Sequence, residues 1–185
     1  MKRASFLIIA LLIILAVNSW GFDGQRKGFV LGGGLGFGPV ASTSLEGFSG
    51  SEDRSGLGFN FIIGYAWDNR NMLVYLNDGV VFNVTTIYHD KVGVFQGFSG
   101  IGYYHYFGRI GNSGFINAGL GLQQFSSLDS KYESNDVGGG ILLGGGYEFV
   151  RHVQVYANLS FGKTSVSVLD FNHSQLTVGV AAVAF

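Results

Sequence analysis

From residue 28 to the end of the chain, large apolar residues alternate with small or polar ones. In residues 56–67, the odd positions from Leu57 to Trp67 are apolar, and the even positions between them are small or polar apart from Ile62. A period of two is typical of a β-strand whose two faces meet different surroundings. Eight such stretches follow one another, at residues 28–38, 56–67, 72–84, 92–107, 114–125, 137–149, 153–162 and 175–185. The pattern predicts an all-β chain of eight antiparallel strands.

Charged residues are almost absent from these stretches. The chain has 11 Lys and Arg and 12 Asp and Glu residues, of which only Asp78 and Glu148 fall inside a predicted strand. A charge that faces lipid costs roughly 2–4 kcal/mol at the bilayer midplane, whereas strands that face water carry Lys and Glu freely. No apolar run after residue 22 is long enough for a membrane-spanning helix. Because only helices and closed barrels satisfy all backbone groups in lipid, the sequence predicts an up-and-down transmembrane β-barrel.

The connections between the predicted strands alternate in length. Residues 39–55, 85–91, 126–136 and 163–174 form long links, and residues 68–71, 108–113 and 150–152 form short ones, with Pro39 at the end of the first strand. Outer-membrane barrels have an even number of strands, short periplasmic turns and longer extracellular loops. Aromatic residues also cluster near the short links, as in Tyr65 and Trp67, where membrane proteins carry an aromatic belt.

Two strands fit the alternation poorly. In residues 72–84, Asp78 shares a face with the apolar positions from Met72 to Val84. A β-bulge at residues 77–79 would move the carboxylate off the lipid face, and we favour it over a hairpin at Asp78 and Gly79, which would leave arms too short for a membrane. In the last strand, Val183 and Phe185 are out of phase with the preceding apolar residues, which a bulge near Ala181 and Ala182 would explain.

The first residues have the pattern of a secretory signal peptide. Met1, Lys2 and Arg3 precede an apolar run from Phe6 to Val17, and small residues follow it. We therefore expect a signal peptide at residues 1–21 and a single barrel domain at residues 22–185. The chain has no cysteine, so it has no disulfides and no thiol for a lipid anchor.

The end of the chain resembles a known family. The segment from Val178 to Phe185 is apolar and ends on Phe, and residues 144–149 form a glycine-rich strand that closes on aromatic residues. In both features the chain is similar to the small eight-stranded outer-membrane β-barrels of Gram-negative bacteria, the OmpA, OmpX and OmpW types. The resemblance implies a monomer in the bacterial outer membrane, in contact with membrane lipid and lipopolysaccharide. It also implies that Phe185 is the signal read by the barrel-assembly machinery.

The interior of such a barrel is just wide enough for side chains. Polar residues of the inward-facing positions are therefore our candidates for the functional lumen. They are Asn60, Asp78, Asn117, Gln123, Glu148, Gln154 and Asn158.

Catalysis, metal and cofactor sites have weak support in the sequence. His173 has a hydroxyl neighbour, Ser174, and a nearby carboxylate, Asp170, but this pattern matches no deacylase motif. The histidines are scattered, and the net charge of −1 with no basic cluster argues against nucleic acid. We therefore expect no catalytic residues, no metal and no cofactor, and a structural or surface-interaction function.

Three alternatives remain open from the sequence. The first is a narrow transport barrel for small hydrophobic molecules. The second is an enzyme that modifies lipid A through His173 and Ser174. The third is a soluble ligand-binding barrel with its Leu and Phe faces turned inward. The interior of the transport barrel would be lined by Phe98, Tyr104, Tyr106, Leu142 and Tyr156.

Overall fold

The chain folds into a closed barrel of eight antiparallel strands. The computed structural model describes residues 25–45, 51–85, 91–129, 135–166 and 169–185, with the backbone alone at residues 45, 51, 52, 85, 165, 166, 169 and 170. In these residues no helix is long and apolar enough to cross a membrane. The predicted fold class and strand number are confirmed. The strands are β1 (Gly28–Leu45), β2 (Ser51–Ala66), β3 (Asn71–Thr85), β4 (Lys91–Tyr106), β5 (Ser113–Ser127), β6 (Asn135–Val150), β7 (Val153–Val166) and β8 (Leu169–Ala184).

The outer surface of the barrel is apolar. Leu35 and Leu120, for example, are 69% and 73% exposed, and large apolar side chains from all eight strands share this surface. A continuous apolar surface of this extent is unfavourable in water, so it is the face that contacts membrane lipid. The alternative of a soluble barrel with its Leu and Phe faces inward is wrong.

The barrel has two different ends. Residues 67–70, 107–112 and 151–152 form the connections at one of them, where Arg26 and the last residue, Phe185, also lie. We call this the short-turn end and the other the mouth. Toward the mouth, β1, β2, β7 and β8 continue several residues beyond their predicted limits, so most of the predicted links 39–55 and 163–174 is strand, whereas β3 to β6 end within two residues of their predicted limits. Alternation of apolar and polar residues fades there, which is why the sequence underestimated the strand lengths.

Pro39 does not end the first strand. The register of β1 shifts between Gly38 and Ala41 against β2, and between Phe37 and Val40 against β8. Pro39 therefore lies in a bulge, where its missing N–H costs no ladder hydrogen bond. The extra residue reverses the alternation, so that Gly38 and then Ala41 are buried.

The predicted bulge at Asp78 is wrong, and so is the hairpin alternative. β3 pairs without a register shift with both β2 and β4 through Asp78 and Gly79. Its apolar face, including Met72 and Leu76, points into the barrel together with Asp78. The prediction failed because it assumed that the more apolar face of each strand meets lipid, whereas this barrel has an apolar core of its own.

The predicted bulge at Ala181 and Ala182 is wrong for the same reason. β8 keeps a regular register there with both β1 and β7. Ala181, Val183 and Phe185 are buried inside the barrel, and Val178 and Val180 are exposed outside it. The change of apolar phase marks the level at which the interior becomes apolar.

The interior consists of three layers, as β3 shows: Leu76 is apolar, Asp78 is polar and Val80 is apolar again. The turn-end core contains Val30, Ile62, Ala66, Met72, Val74, Leu76, Phe98, Tyr104, Tyr106, Phe115, Leu142, Tyr156, Ala181, Val183 and Phe185. The mouth cluster contains Ala41, Val80, Phe82, Val92 and Val94. The polar layer between them contains Asn60, Asp78, Asn117, Gln123, Asn158, Ser160, Gln175 and Thr177.

Candidate functional site in the barrel interior

All the polar residues that the sequence proposed for the lumen are buried inside the barrel. They do not form one site. Glu148 and Gln154 lie at the short-turn end, and the others lie in the polar layer. The residues concerned are Asn60, Asp78, Asn117, Gln123, Glu148, Gln154 and Asn158.

Asp78 is the centre of the polar layer. Its Oδ2 accepts hydrogen bonds from the Nδ2 atoms of Asn158, at 2.7 Å, and Asn60, at 3.2 Å. Its Oδ1 accepts a hydrogen bond from Nε2 of Gln175, at 3.3 Å. These three donors are neutral amides, and the Thr177 hydroxyl also hydrogen-bonds to the carboxylate. The carboxylate is therefore solvated by side-chain dipoles that replace water.

The carboxylate also fixes the orientation of the surrounding amides. Because the Nδ2 of Asn158 faces Asp78, its Oδ1 accepts a hydrogen bond from Nδ2 of Asn117, at 3.1 Å. The Oδ1 of Asn117 and the Oε1 of Gln175 have no hydrogen-bond partner among the described residues, although both are buried. The amides thus direct their N–H groups toward Asp78 and leave carbonyl oxygens to be satisfied elsewhere.

Gln123 and Ser160 add further unpaired atoms to this layer. Within the described chain, neither the nitrogen nor the oxygen of the Gln123 amide has a hydrogen-bond partner, and nor does the Ser160 hydroxyl. Both residues are almost completely buried. Buried polar groups in native proteins are satisfied by protein, water or an ion, so these atoms are candidates to bind water or an ion.

Arg26 closes the short-turn end, although it was not among the residues predicted for the interior. It lies just before β1 and is completely buried. Its Nη2 forms an ion pair with Oε2 of Glu148, and its Nη1 donates to the carbonyl oxygen of Asn69, at 2.6 Å. The guanidinium carbon lies 3.4 Å from the centre of the Tyr106 ring and 5.2 Å from that of Phe185. This arrangement combines a buried ion pair with cation–π contacts.

Glu148 connects this cluster to another turn. Its Oε2 also accepts a hydrogen bond from the backbone N–H of Gly111, at 2.9 Å. Gly111 has a φ of 80°, in the left-handed region that glycine adopts most easily. Arg26, Glu148 and their contacts therefore join the first two short turns, the end of β6 and the end of the chain.

The buried position of Arg26 is difficult to predict from the sequence, because it depends on which strands and turns meet at the short-turn end. It stands next to Lys27 in a stretch that reads as a polar leader before the first strand. The one available signal was Glu148, an inward carboxylate in a predicted strand that required a cationic partner. The assignment of Phe185 as an assembly signal stays a prediction; in the structure its ring is buried and lies 4.5 Å from that of His152.

His173 and Ser174 do not form a nucleophile and base pair. His173 is buried inside the barrel, where it contacts the Thr43 hydroxyl at 3.1 Å and the Thr164 hydroxyl at 2.8 Å. Ser174 is the next residue of β8 and points to the opposite face. The side chain of Asp170 lies outside the described residues. Of the other histidines, His89 also lies outside them, and His105 contacts Asn71 near the short-turn end.

A cavity of about 280 Å³ opens inside the mouth. Its walls are mostly apolar, and the neighbouring His173 ring stacks on Phe125 with the ring centres 5.3 Å apart. This volume is just below the range of roughly 300–1,000 Å³ that is common for ligand pockets. Its lining residues are Ala41, Thr43, Arg54, Phe82, Val84, Phe125 and Phe171.

Asp68 organises the first short turn. Its Oδ1 accepts hydrogen bonds from the backbone N–H of Arg70, at 2.7 Å, and of Asn71, at 2.8 Å. The Asn71 side chain donates to the same carboxylate. These hydrogen bonds, with that of the Asn71 side chain the largest contribution, lower the pKa of Asp68 below its ordinary value.

Comparison with known proteins identifies the fold. No protein-family model and no curated protein sequence matches this chain. The solved structure of Neisserial surface protein A (NspA) is similar, with a TM-score of 0.57 and 17% identity over 84% of this chain and 97% of NspA. Ail of Yersinia pestis has a TM-score of 0.49 at 12% identity, over 84% of this chain and 99% of Ail. OprG of Pseudomonas aeruginosa has a TM-score of 0.46 at 13% identity, over 86% of this chain and 98% of OprG.

At this level of identity, the likeness to NspA defines the fold and not the ligand. It agrees with the closed register of the strands and with the apolar outer surface. The chain thus has the fold of the eight-stranded β-barrels of bacterial outer membranes, which is the fold that its sequence predicted.

Proposed function

We propose that this protein is a non-conducting barrel of the outer membrane with a structural or surface-interaction role and no catalysis. The filled interior carries this proposal. In the turn-end core, the Phe115 ring packs against Tyr104 and Tyr106, with ring centres 5.8 and 5.1 Å apart. Arg26 and Glu148 lie beside this core at the short-turn end. Side chains thus occupy the level at which an open pore would need water.

Reconstitution into planar lipid bilayers tests this proposal. We expect no discrete channel currents from the folded protein, and none from the double variant R26A/E148A, because the apolar turn-end core remains in place. A general porin in the same bilayers serves as the positive control. Stable channels from the wild-type protein would contradict the proposal.

We also propose an orientation of the barrel in the membrane and the partners that it contacts. The short turns would face the periplasm and the mouth the exterior, as in outer-membrane barrels generally. We propose a monomer that is inserted by the barrel-assembly machinery and ends on Phe185 as its signal. The barrel closes on itself within one chain, which supports the monomer.

An outward patch near the mouth supports contact with lipopolysaccharide. Two rows of paired residues cross β6, β7, β8 and β1 there, and they line a surface groove of about 560 Å³. The rows next to them, toward the short-turn end, are apolar, so this patch lies where the lipid belt becomes polar. The first row is Ile141, Phe161, Ser174 and Ser42, and the second is Lys163, Asn172 and Ser44, with Gly139 of β6 also lining the groove.

Binding of lipopolysaccharide is measurable by native mass spectrometry or by copurification from outer membranes. The ammonium of Lys163 suits a lipid phosphate, and the hydroxyl groups of Ser42 and Ser174 suit its sugar. We expect K163A to retain less lipopolysaccharide than the wild type and than the exposed-lysine control K91A. Equal retention by the three proteins would remove this patch as the contact.

The cavity inside the mouth favours a second candidate function, the binding of small hydrophobic molecules. Its apolar wall, which includes Phe82 and Phe125, suits an alkyl or aromatic group, and Arg54 suits a polar or anionic end. Quenching or displacement of a fluorescent fatty-acid analogue would test it. We expect V84W, which fills the cavity, to abolish the signal. A signal unchanged by V84W would place the probe on the outer surface instead.

A further inference from the structure

Besides the Oδ1 of Asn117, the polar layer has unpaired polar atoms on three side chains. They are both amide atoms of Gln123, the hydroxyl of Ser160 and the Oε1 of Gln175, none of which has a hydrogen-bond partner among the described residues. Each of these residues is at most 1% exposed. Ser160 of β7 and Gln175 of β8 are direct cross-strand partners that both point inward.

Two glycines place Gln123 beside them. A Cβ at Gly162 would lie 2.4 Å from the Cβ of Gln123, and one at Gly140 would lie 3.2 Å from it. Gly162 is two residues from Ser160 on the same face of β7, so Gln123 of β5 packs over β7 next to Ser160. The absence of side chains at Gly140 and Gly162 leaves the space that Gln123 occupies. We call the group formed by Gln123, Ser160 and Gln175 the cradle.

The chemistry of the cradle is that of a hard-cation site. Gln123 and Gln175 supply amide oxygens, and Ser160 supplies a hydroxyl oxygen. Gln175 is fixed by its own Nε2, which donates to Asp78 at 3.3 Å and to the Thr177 hydroxyl at 3.1 Å, so that its oxygen is left for another partner. Carboxylate, amide and hydroxyl oxygens are the ligands of hard cations.

The negative charge of Asp78 makes the cradle favour a cation over an anion. In the described part of the chain, the hydrogen-bond donors of this carboxylate are neutral, while Glu148 at the short-turn end is paired with Arg26. An isolated buried charge is unfavourable unless another charge compensates it. In the cradle, only the amide group of Gln175 would separate the cation from the Asp78 carboxylate.

We propose that Gln123, Ser160 and Gln175 bind a hard monovalent cation in the barrel interior, with Asp78 as its compensating charge. One carboxylate balances a single positive charge, and neutral oxygens complete the coordination. Sites for divalent cations rely on more carboxylate ligands. The cation would enter from the mouth, past the mouth cluster, since the turn-end core and Arg26 occupy the other end.

Thermal unfolding of the folded barrel in detergent tests the proposal. The chloride salts of sodium, potassium and N-methylglucamine are compared at constant ionic strength, the last as a cation too large for the cradle. A ligand that binds only the folded state raises its stability with concentration, as RT ln(1 + [L]/Kd) predicts. We expect a saturable rise in Tm with sodium or potassium and none with N-methylglucamine.

Two variants and one control assign the response to the cradle. Q123L removes both unpaired amide atoms, so it folds at least as well without a cation but loses the rise in Tm. D78N also loses the rise. D53N removes an exposed carboxylate of β2 and keeps the rise. If D78N fails to fold, Q123L alone decides, because a purely structural role of Gln123 would not couple stability to the identity of the cation.

Diffraction supplies the direct measurement. Crystals grown with thallium or rubidium in place of sodium are expected to show an anomalous peak bounded by the oxygens of Gln123, Ser160 and Gln175. Ordered waters without such a peak, or a Tm that responds equally to all three salts, would overturn the proposal. The bilayer experiment on conduction is independent of either result.

Discussion

The barrel buries two carboxylates inside its wall and stabilises them in different ways. Glu148 is neutralised by Arg26, a full positive charge brought in by the segment before β1. Asp78 is held by the side-chain amides of Asn60, Asn158 and Gln175, all of which belong to strands. At the short-turn end, where the strands stop, a cationic side chain from outside the sheet can reach a buried carboxylate. In its middle, the strands themselves must supply the solvation.

The largest expected effect is at the short-turn end. Removing one partner of a buried ion pair costs about 3–5 kcal/mol, because the other charge is left buried and unpaired. We expect R26A to lower the free energy of unfolding by about this amount, as measured by denaturant titration in lipid vesicles. The exposed neighbour provides the control, K27A, for which we expect a change within about 0.5 kcal/mol.

A charge exchange separates the ion pair from simple packing. The double variant R26E/E148R restores opposite charges, so it should recover part of the stability that R26E alone loses. Equal instability of R26E and the double variant would show that the contacts with Tyr106 and Phe185, rather than charge, account for the effect of Arg26.

Removing the charge of Asp78, in the middle of the barrel, should lower the free energy of unfolding less than removing the charge of Glu148. D78N keeps the shape of the side chain but places an amide nitrogen among donors, which leaves about one hydrogen bond unsatisfied, at a cost of about 1–3 kcal/mol. E148Q, in contrast, leaves Arg26 without its counter-charge. Denaturant titration should therefore rank E148Q as more destabilised than D78N. The reverse order would mean that the amides of the polar layer solvate a charge less well than we infer.

The sequence predicts the parts of this molecule in which the alternation of apolar and polar residues reflects lipid on one face of a strand and the barrel interior on the other. Alternation between Leu120 and Asn117, or Leu159 and Asn158, records lipid on one side, and it correctly assigns the faces of β5 and β7. It fails at Met72 and Val183, because apolar residues also fill the turn-end core. It cannot find Arg26 or the cradle around Gln123, because these depend on which strands meet across the interior.

A third carboxylate, Asp68, lies at the same end as Glu148 but outside the barrel wall, and it is expected to have the smallest effect. Its hydrogen bonds with Asn71 and Arg70 lower its pKa in the folded state below the ordinary 3.8. The folded state therefore binds this proton less readily than the unfolded state. The stabilisation is complete above the unfolded-state pKa and is lost as the pH falls through the lower, folded-state pKa.

The difference in stability between the wild type and D68A should follow this titration. We expect the difference to be constant at neutral pH and to narrow below the ordinary pKa of 3.8. Asp78 and Glu148 are present in both proteins, so their titration cancels in the comparison. A difference that stays constant down to strongly acidic pH would show that Asp68 acts through the shape of the turn. A narrowing difference would separate this partly exposed carboxylate, whose charge organises a turn, from the two inside the barrel.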